Sequence, residues 1–401
     1  MSLSKRIDKM SYSPIRKLYP YGDEAKSRGI EVLSLNIGQP DIKTPPQFFE
    51  AFKTFDQKVL KYAESRGIPE LLESFIKYYA KIGLEFTEDN LVVTNGGSEA
   101  LYFTMFSIGN EGDEIILPEP FYTNYRSFTD LAGLNIVPVT TYGKNGFHLP
   151  SKDKFEAVIT EKTKAILISN PVNPTGTVYT KEEIEMLGEL CVENDLYLIT
   201  DEVYREFVYG DHEVFSPLKI KSIEDRVIMI DSISKRYSAC GARIGLIASK
   251  NVEVMDAVMK LAQARLCVPT LEQVAAATLV DTPDSYFKAV KTEYELRRDT
   301  LFDGLISIDG VEIDKPDGAF YMMVKLPIKS AEHFCKWMLE EFHDNKTTVM
   351  MAPADGFYET KALGKDEVRL SYCINVEDLK RAVIIIKKAL TTYKNTVEKN
   401  I

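Results

Sequence analysis

Seven short apolar runs, most of them separated by helix-like stretches, constrain this chain more than any other feature. They are LVVT from residue 91, EIILP from 114, NIVPV from 135, AILIS from 165, YLITD from 197, VIMID from 227 and IGLIAS from 244. Several are apolar throughout, as strands covered on both faces are. KEEIEMLGELCVEND, from 181, is one of the helical stretches between them. This alternation predicts an α/β fold with a mostly parallel seven-stranded sheet between helices. Further on, Phe287, Val290, Tyr294, Leu301 and Leu305 recur at helical spacing and predict one long connecting helix. Asn375 as N-cap, Asp378 in the first turn, and Leu379, Val383, Ile386 and Leu390 on one face predict an amphipathic helix at the C-terminal end. A chain of 401 residues is long enough for two domains. The expected division is a large domain over 46–284 and a smaller α+β domain over 285–401, joined by the N-terminal segment 1–45.

Composition narrows the partners. Lys and Arg number 49 against 60 Asp and Glu, a net charge of −11, which disfavours nucleic acid and anionic membranes. MSLSKRIDKMSYSP has no apolar core of signal-peptide length, and no later run is long enough to cross a bilayer. The cysteines, Cys191, Cys240, Cys267, Cys335 and Cys373, are scattered and odd in number. Reduced thiols in a cytoplasm are therefore expected rather than a disulfide framework. The four histidines are dispersed, and no metal-ligand spacing is present.

In an open parallel sheet, ligands bind at the carboxyl ends of the strands, so the residues that follow each strand matter most. NGGSEAL, EPFYTNY, NPVNPTG, DEVY and DSISKRYS occupy those places. Gly96 and Gly97 allow a tight turn before a helix whose first N–H groups suit an anion, although a plain strand-to-helix turn has the same signature. Asp201 ends an apolar strand and is either a cap, an ion-pair partner or the counter-charge of a protonated ring nitrogen, with Tyr204 close enough in sequence to lie beside it. The prolines around Asn170 and Asn173 stiffen a turn that can hold an amide for a ligand. Lys235 is the reactive candidate. An amine becomes nucleophilic near neutrality when burial or a nearby cation lowers its pKa, and Arg236 and Arg243 are close in sequence.

Taken together and in this order, these stretches resemble the class I/II aminotransferases, fold type I enzymes that use pyridoxal 5′-phosphate. The likeness runs from LNIGQPD at 35 to VRLSYC at 368, and SISKRYSACGARIG carries it most specifically. The resemblance implies that Lys235 holds the cofactor aldehyde as a Schiff base and later moves the substrate Cα proton. It implies that Asp201 pairs with the pyridine nitrogen, that Asn173 and Tyr204 bond the ring 3′ oxygen, and that Tyr122 stacks on the ring. Gly97, Ser98, the Glu99 backbone, Ser232, Ser234 and Arg243 are implied phosphate ligands. Arg369 is the implied clamp on the substrate α-carboxylate, assisted by Gly38 and Asn173. Tyr62 is implied to reach the phosphate of a neighbouring subunit, hence a homodimer with shared sites. No metal is implied.

The same resemblance implies transfer of an amino group from an L-amino acid to a 2-oxo acid such as 2-oxoglutarate, with aspartate the first expectation. One departure bears on that choice. Many bacterial aspartate enzymes of this subgroup carry GGKQAL, whose lysine helps bind the distal carboxylate, whereas this chain has GGSEAL, with Ser98 in that place. Arg265 is a compensating candidate from the expected subunit interface. Alanine or aromatic amino-acid aminotransferases, and a C–S β-lyase on cysteine-like substrates, are the alternatives. A DNA-binding regulator is disfavoured because the stretch before LNIGQPD is short. The N-terminal stretch 11–29 is expected to be helical and to cover the site.

Overall fold

A computed structural model describes residues 12–397, together with residues 3, 4, 7, 8 and 10. All seven expected strands form, as β2 (Leu91–Thr94), β3 (Glu114–Glu119), β4 (Asn135–Thr140), β5 (Thr163–Ser169), β6 (Tyr197–Asp201), β7 (Val227–Ser232) and β8 (Gly245–Ala248). They lie in one sheet of order β2-β8-β7-β6-β5-β3-β4. The ladders are parallel except those of β8, which runs antiparallel to both of its neighbours. The mostly apolar strands β5, β6 and β7 are buried inner ones; of the two edge strands, β2 is also buried and β4 is mostly half-exposed. Helices such as Gly96–Ile108 and Lys181–Glu193 cover the sheet, the second opened by a reciprocal cap between Thr180 and Glu183.

The rest of the chain builds around a second, four-stranded antiparallel sheet of order β12 (Ala352–Pro353), β13 (Glu367–Ser371), β10 (Tyr321–Lys325) and β9 (Glu312–Ile313). The long connecting helix is Asp284–Ile306, with Val290, Tyr294, Leu301 and Leu305 buried and Phe287 half-buried. The C-terminal helix is Val376–Thr396, capped where expected: the Asn375 side chain accepts from the Asp378 N–H at 2.9 Å. At the other end, the expected helix over 11–29 forms over Tyr19–Ser27, preceded by turns from Pro14, and residue 11 lies outside the described residues. β1 (Glu31–Ser34) then pairs in parallel with β11 (Thr347–Met350), so early and late parts of the chain share one ladder.

A buried ion pair fixes the short helix Ile233–Arg236 that follows β7. Arg236 bonds the carboxylate of Asp231, Tyr79 donates to the same carboxylate, and the Tyr78 ring lies 3.9 Å from the guanidinium carbon. Asp231 and Arg236 are both essentially inaccessible, so removing one leaves the other charge buried without compensation. Arg236→Ala is expected to destabilise the fold by about 3–5 kcal/mol. Urea unfolding would read this as a lower midpoint, and a midpoint equal to that of the unsubstituted chain would contradict the pairing.

Candidate active site

The carboxyl ends of the parallel strands open into a cavity of about 780 Å³. Gly38, Gly97, Ser98, Tyr122, Asn173, Asp201, Tyr204, Ser232, Ser234, Lys235, Arg243 and Arg369 all line it. Residues up to 331 positions apart in sequence are thus gathered at one edge, most of them because each parallel strand delivers its following loop there, with Gly38 and Arg369 added from outside that sheet.

Asp201, the last residue of β6, is 6 % exposed. Burial pushes its carboxyl up to about 6, against the opposing hydrogen bonds from Tyr125 and the Val203 N–H. The Tyr125 hydroxyl donates to Oδ2 at 2.8 Å. Tyr204 does not take that place: its hydroxyl lies 3.0 Å from the Tyr321 hydroxyl and accepts from Asn173 Nδ2 at 3.5 Å. Tyr122 meets Tyr125 edge to face, with ring centroids 5.5 Å apart. Tyr125 and Tyr321 were not anticipated. Tyr125 stands three residues after Tyr122 in EPFYTNY, a signal that was available. Nothing in the spacing around Tyr321 marks it, because it arrives from the second sheet.

Lys235 sits near the end of the short helix after β7, and its Nζ donates to the Gly38 carbonyl at 2.8 Å. A Cβ at Gly38 would collide with the Tyr321 ring, so only glycine lets that segment cross so close. Cys240 Sγ is 3.8 Å from Nζ. Arg236, read from sequence as a cation near the lysine, is instead the buried partner of Asp231, its charge spent there. Arg369, on β13, is 2 % exposed. It donates to Asn173 Oδ1 at 3.0 Å and to the Asn36 carbonyl at 2.6 Å, between the rings of Tyr321 and Phe357.

An anion cradle forms where β2, β7 and β8 meet. No side chain caps the helix Gly96–Ile108, and Gly97 and Ser98 face the cavity from its first turn. Gly245 permits this, since a Cβ there would press on the backbone of Gly96 and Gly97. Arg243 stands beside Gly96, in left-handed backbone at φ 53°, and donates to the Cys240 carbonyl at 3.0 Å. The Ser232 and Ser234 hydroxyls share a 2.7 Å hydrogen bond at the opposite wall. Glu99 turns its side chain away, bonding the Asn95 N–H at 2.8 Å and Arg265 Nη1 at 2.8 Å. Arg265 also donates to the Ser65 carbonyl at 2.9 Å, so it is held within its own chain beside the cradle. Tyr62 is 82 % exposed and lies outside the cavity wall of its own subunit.

These residues fit pyridoxal 5′-phosphate on their own chemistry. A buried carboxylate calls for a cation such as a protonated pyridine. The uncapped first turn with Arg243 suits a phosphate. Lys235 supplies the amine, and Arg369 Nε is buried without a partner among the described residues. The raised Asp201 carboxyl also sets a pH dependence. Between the ordinary value of 3.8 and about 6 the folded state binds the extra proton, so this group's contribution to stability falls as pH rises. Urea midpoints of cofactor-free protein between pH 4 and 7 should therefore differ in slope between Asp201→Asn and the unsubstituted chain. Parallel pH profiles would refute the buried carboxylate.

Comparison with known proteins gives the same direction. The profile of the family described as "Aminotransferase class I and II" matches residues 30–386. An aspartate aminotransferase of Bacillus subtilis is 31 % identical over 97 % of this chain and 98 % of its own length. The solved aspartate aminotransferase of Thermus thermophilus with maleate superposes with a TM-score of 0.88 at 30 % identity, covering 97 % of this chain and all of that one. An alanine aminotransferase from Pyrococcus furiosus does so with the same score and coverage at 31 % identity. The expected seven-stranded fold and the expected reaction class thus both hold, and the chain belongs to the class I and II aminotransferases, enzymes that move amino groups with pyridoxal 5′-phosphate.

Proposed function

We propose that this chain transfers the amino group of aspartate to 2-oxoglutarate. The observation that carries the reading is that Lys235, Asp201 and Arg369, brought by β7, β6 and β13, line one cavity. The aspartate choice draws on the relatives' names and on the dicarboxylate maleate named with one of them. A second reading, alanine as donor, has its own support: Ser98 is neutral, and the charge of Arg265 is taken up by Glu99.

Each residue then has a task. Arg369 grips the substrate α-carboxylate as a fork, with Asn173 holding the fork in plane. That grip fixes which Cα bond stands across the ring. Asp201 would keep a proton on the ring nitrogen by its charge, and Asn173 and Tyr204 would hydrogen-bond the 3′ oxygen. Bound in the cavity, pyridoxal 5′-phosphate supplies a ring that takes up the electron pair of the broken Cα bond. With the cofactor bound, the Lys235 amine would be the group that takes up and gives back the Cα proton. Gly97, Ser98, the Glu99 N–H, Ser232, Ser234 and Arg243 would hold the cofactor's phosphate. Tyr122 faces the ring, and the Gly38 carbonyl positions the lysine amine.

We also propose a homodimer in the cytoplasm, with Tyr62 reaching the partner's phosphate. Support comes from the irregular segment 55–68, where Val59, Leu60 and Tyr62 are exposed by 64, 59 and 82 %, and from the free state of all five cysteines. Residues 46–284 would form the cofactor-binding unit. Residues 285–401, joined by 1–45 through the β1–β11 ladder, would form the unit that presents Arg369.

A panel of amino donors against 2-oxoglutarate, followed by the absorbance of the cofactor, tests the substrate. Aspartate should be turned over most efficiently. A higher kcat/KM for alanine would replace aspartate by the second reading. Pyruvate released from cysteine conjugates without any 2-oxo acid would mark a lyase instead. Lys235→Ala should lose at least about a thousandfold in kcat while keeping its far-ultraviolet circular dichroism. Retained turnover would remove the lysine from its role.

A further inference from the structure

Among the described residues, the cavity wall carries four cationic side chains, Arg16, Lys235, Arg243 and Arg369, against the single carboxylate of Asp201. The proposed function accounts for three of them: the amine, the phosphate ligand and the α-carboxylate clamp. Arg16 is left over. It belongs to the turn before the helix Tyr19–Ser27, where its N–H donates to the Ser13 carbonyl at 3.0 Å and its carbonyl accepts from the Tyr19 N–H at 3.0 Å. The backbone is thus held, yet the exposed guanidinium has no hydrogen-bond or ion-pair partner among the described residues. Its neighbour Lys17 points the other way, to Glu332 at 3.0 Å and Asp355 at 3.7 Å.

We propose that Arg16 binds the distal carboxylate of dicarboxylic substrates, completing a cavity that has one arginine for each end of aspartate or 2-oxoglutarate. The proposal rests on the aminotransferase reading of this cleft. The two positions expected from sequence do not serve. Ser98 has no charge, and Arg265 is 15 % exposed and already paired with Glu99. Arg16 and Arg369 line the same cavity as Tyr19 and Tyr122, and both phenols sense both charges. Burial raises the Tyr19 phenol, and the charges of Arg16 and then Arg369 both draw it back. Burial likewise raises Tyr122, which again senses both arginines. A substrate spanning the two guanidiniums would therefore lie across Tyr122, where the ring is expected.

The placement on an exposed turn has a chemical consequence. A buried cation left unpaired by a short donor would make alanine costly, whereas a hydrated one would not. Arg16 favours dicarboxylates without strongly rejecting alanine. One site can then take aspartate and glutamate by using the fourth cation, and alanine by leaving it in water.

The test uses the holoenzyme with Arg16→Ala, Arg16→Gln and Arg16→Lys. Calorimetry measures succinate, which has two carboxylates, against propionate, which has one. Removing the guanidinium should weaken succinate by about ten- to a hundredfold, and propionate much less. KM for aspartate and 2-oxoglutarate should rise by a similar factor with a smaller change in kcat, and Arg16→Lys should recover part of the loss. Equal weakening of both acids would show that Arg16 shapes the N-terminal turn and binds no distal group, overturning the proposal. Succinate binding retained in Arg16→Ala would overturn it too, with the aspartate reading intact. An unsubstituted enzyme that turns over alanine best and binds succinate no better than propionate would remove both.

Discussion

The site depends on a carboxylate that is almost wholly buried at the edge of the cavity. Asp201 ends an inner strand, and its backbone and the layers above and below strip its solvent away. Left alone, such a group drifts toward its neutral form, and its carboxyl is accordingly raised. Two hydrogen bonds, from Tyr125 and Val203, hold it in place without supplying charge. The missing positive charge belongs to the ligand. The fold therefore keeps an electrostatic demand in reserve that a protonated heterocycle satisfies, and the rest of the cavity orients around that demand.

Around it, the charges are separated by function. Two buried pairs, Asp231 with Arg236 and Glu202 with Arg205, neutralise themselves below the cavity floor. Glu99 and Arg265 do the same beside the phosphate cradle. The cations that remain uncompensated are the ones facing the ligand. A net negative protein can bind a strongly anionic ligand in this way, because the local balance inside a confined cleft outweighs the charge of the outer surface.

The sheet and its functional edge were legible because strands buried on both faces have an apolar signature that survives without any knowledge of contacts. All seven runs became strands, and Lys235, Asp201 and Asn173 came together as the strand ends implied, whereas Arg369, from the second sheet, was expected only from the family resemblance. What stayed hidden depends on side-chain direction. Arg236 follows Lys235 in sequence, but successive positions on a helix face different ways, so one enters the cavity and the other the core. The hydrogen bond from Tyr125 to Asp201 is hidden too, because the two lie 76 positions apart. The pairing of Arg265, the compensating candidate, with Glu99 is hidden because the two lie 166 positions apart and only the fold brings them together. Tyr321 and Arg16 come from outside the large sheet, where strand-end reasoning has no reach.

The ladder between β1 and β11 joins residues 31–34 to 347–350, and Arg369 reaches back to the carbonyl of Asn36. During synthesis, the first of these partners emerges from the ribosome more than three hundred residues before the second. The lysine, the aspartate and the glycine turn are made first, and the pocket has no roof until residues 347–350 and Arg369 have followed. A truncated or stalled product would hold the reactive amine in an open trough, and substrate grip would arrive only with the finished polypeptide.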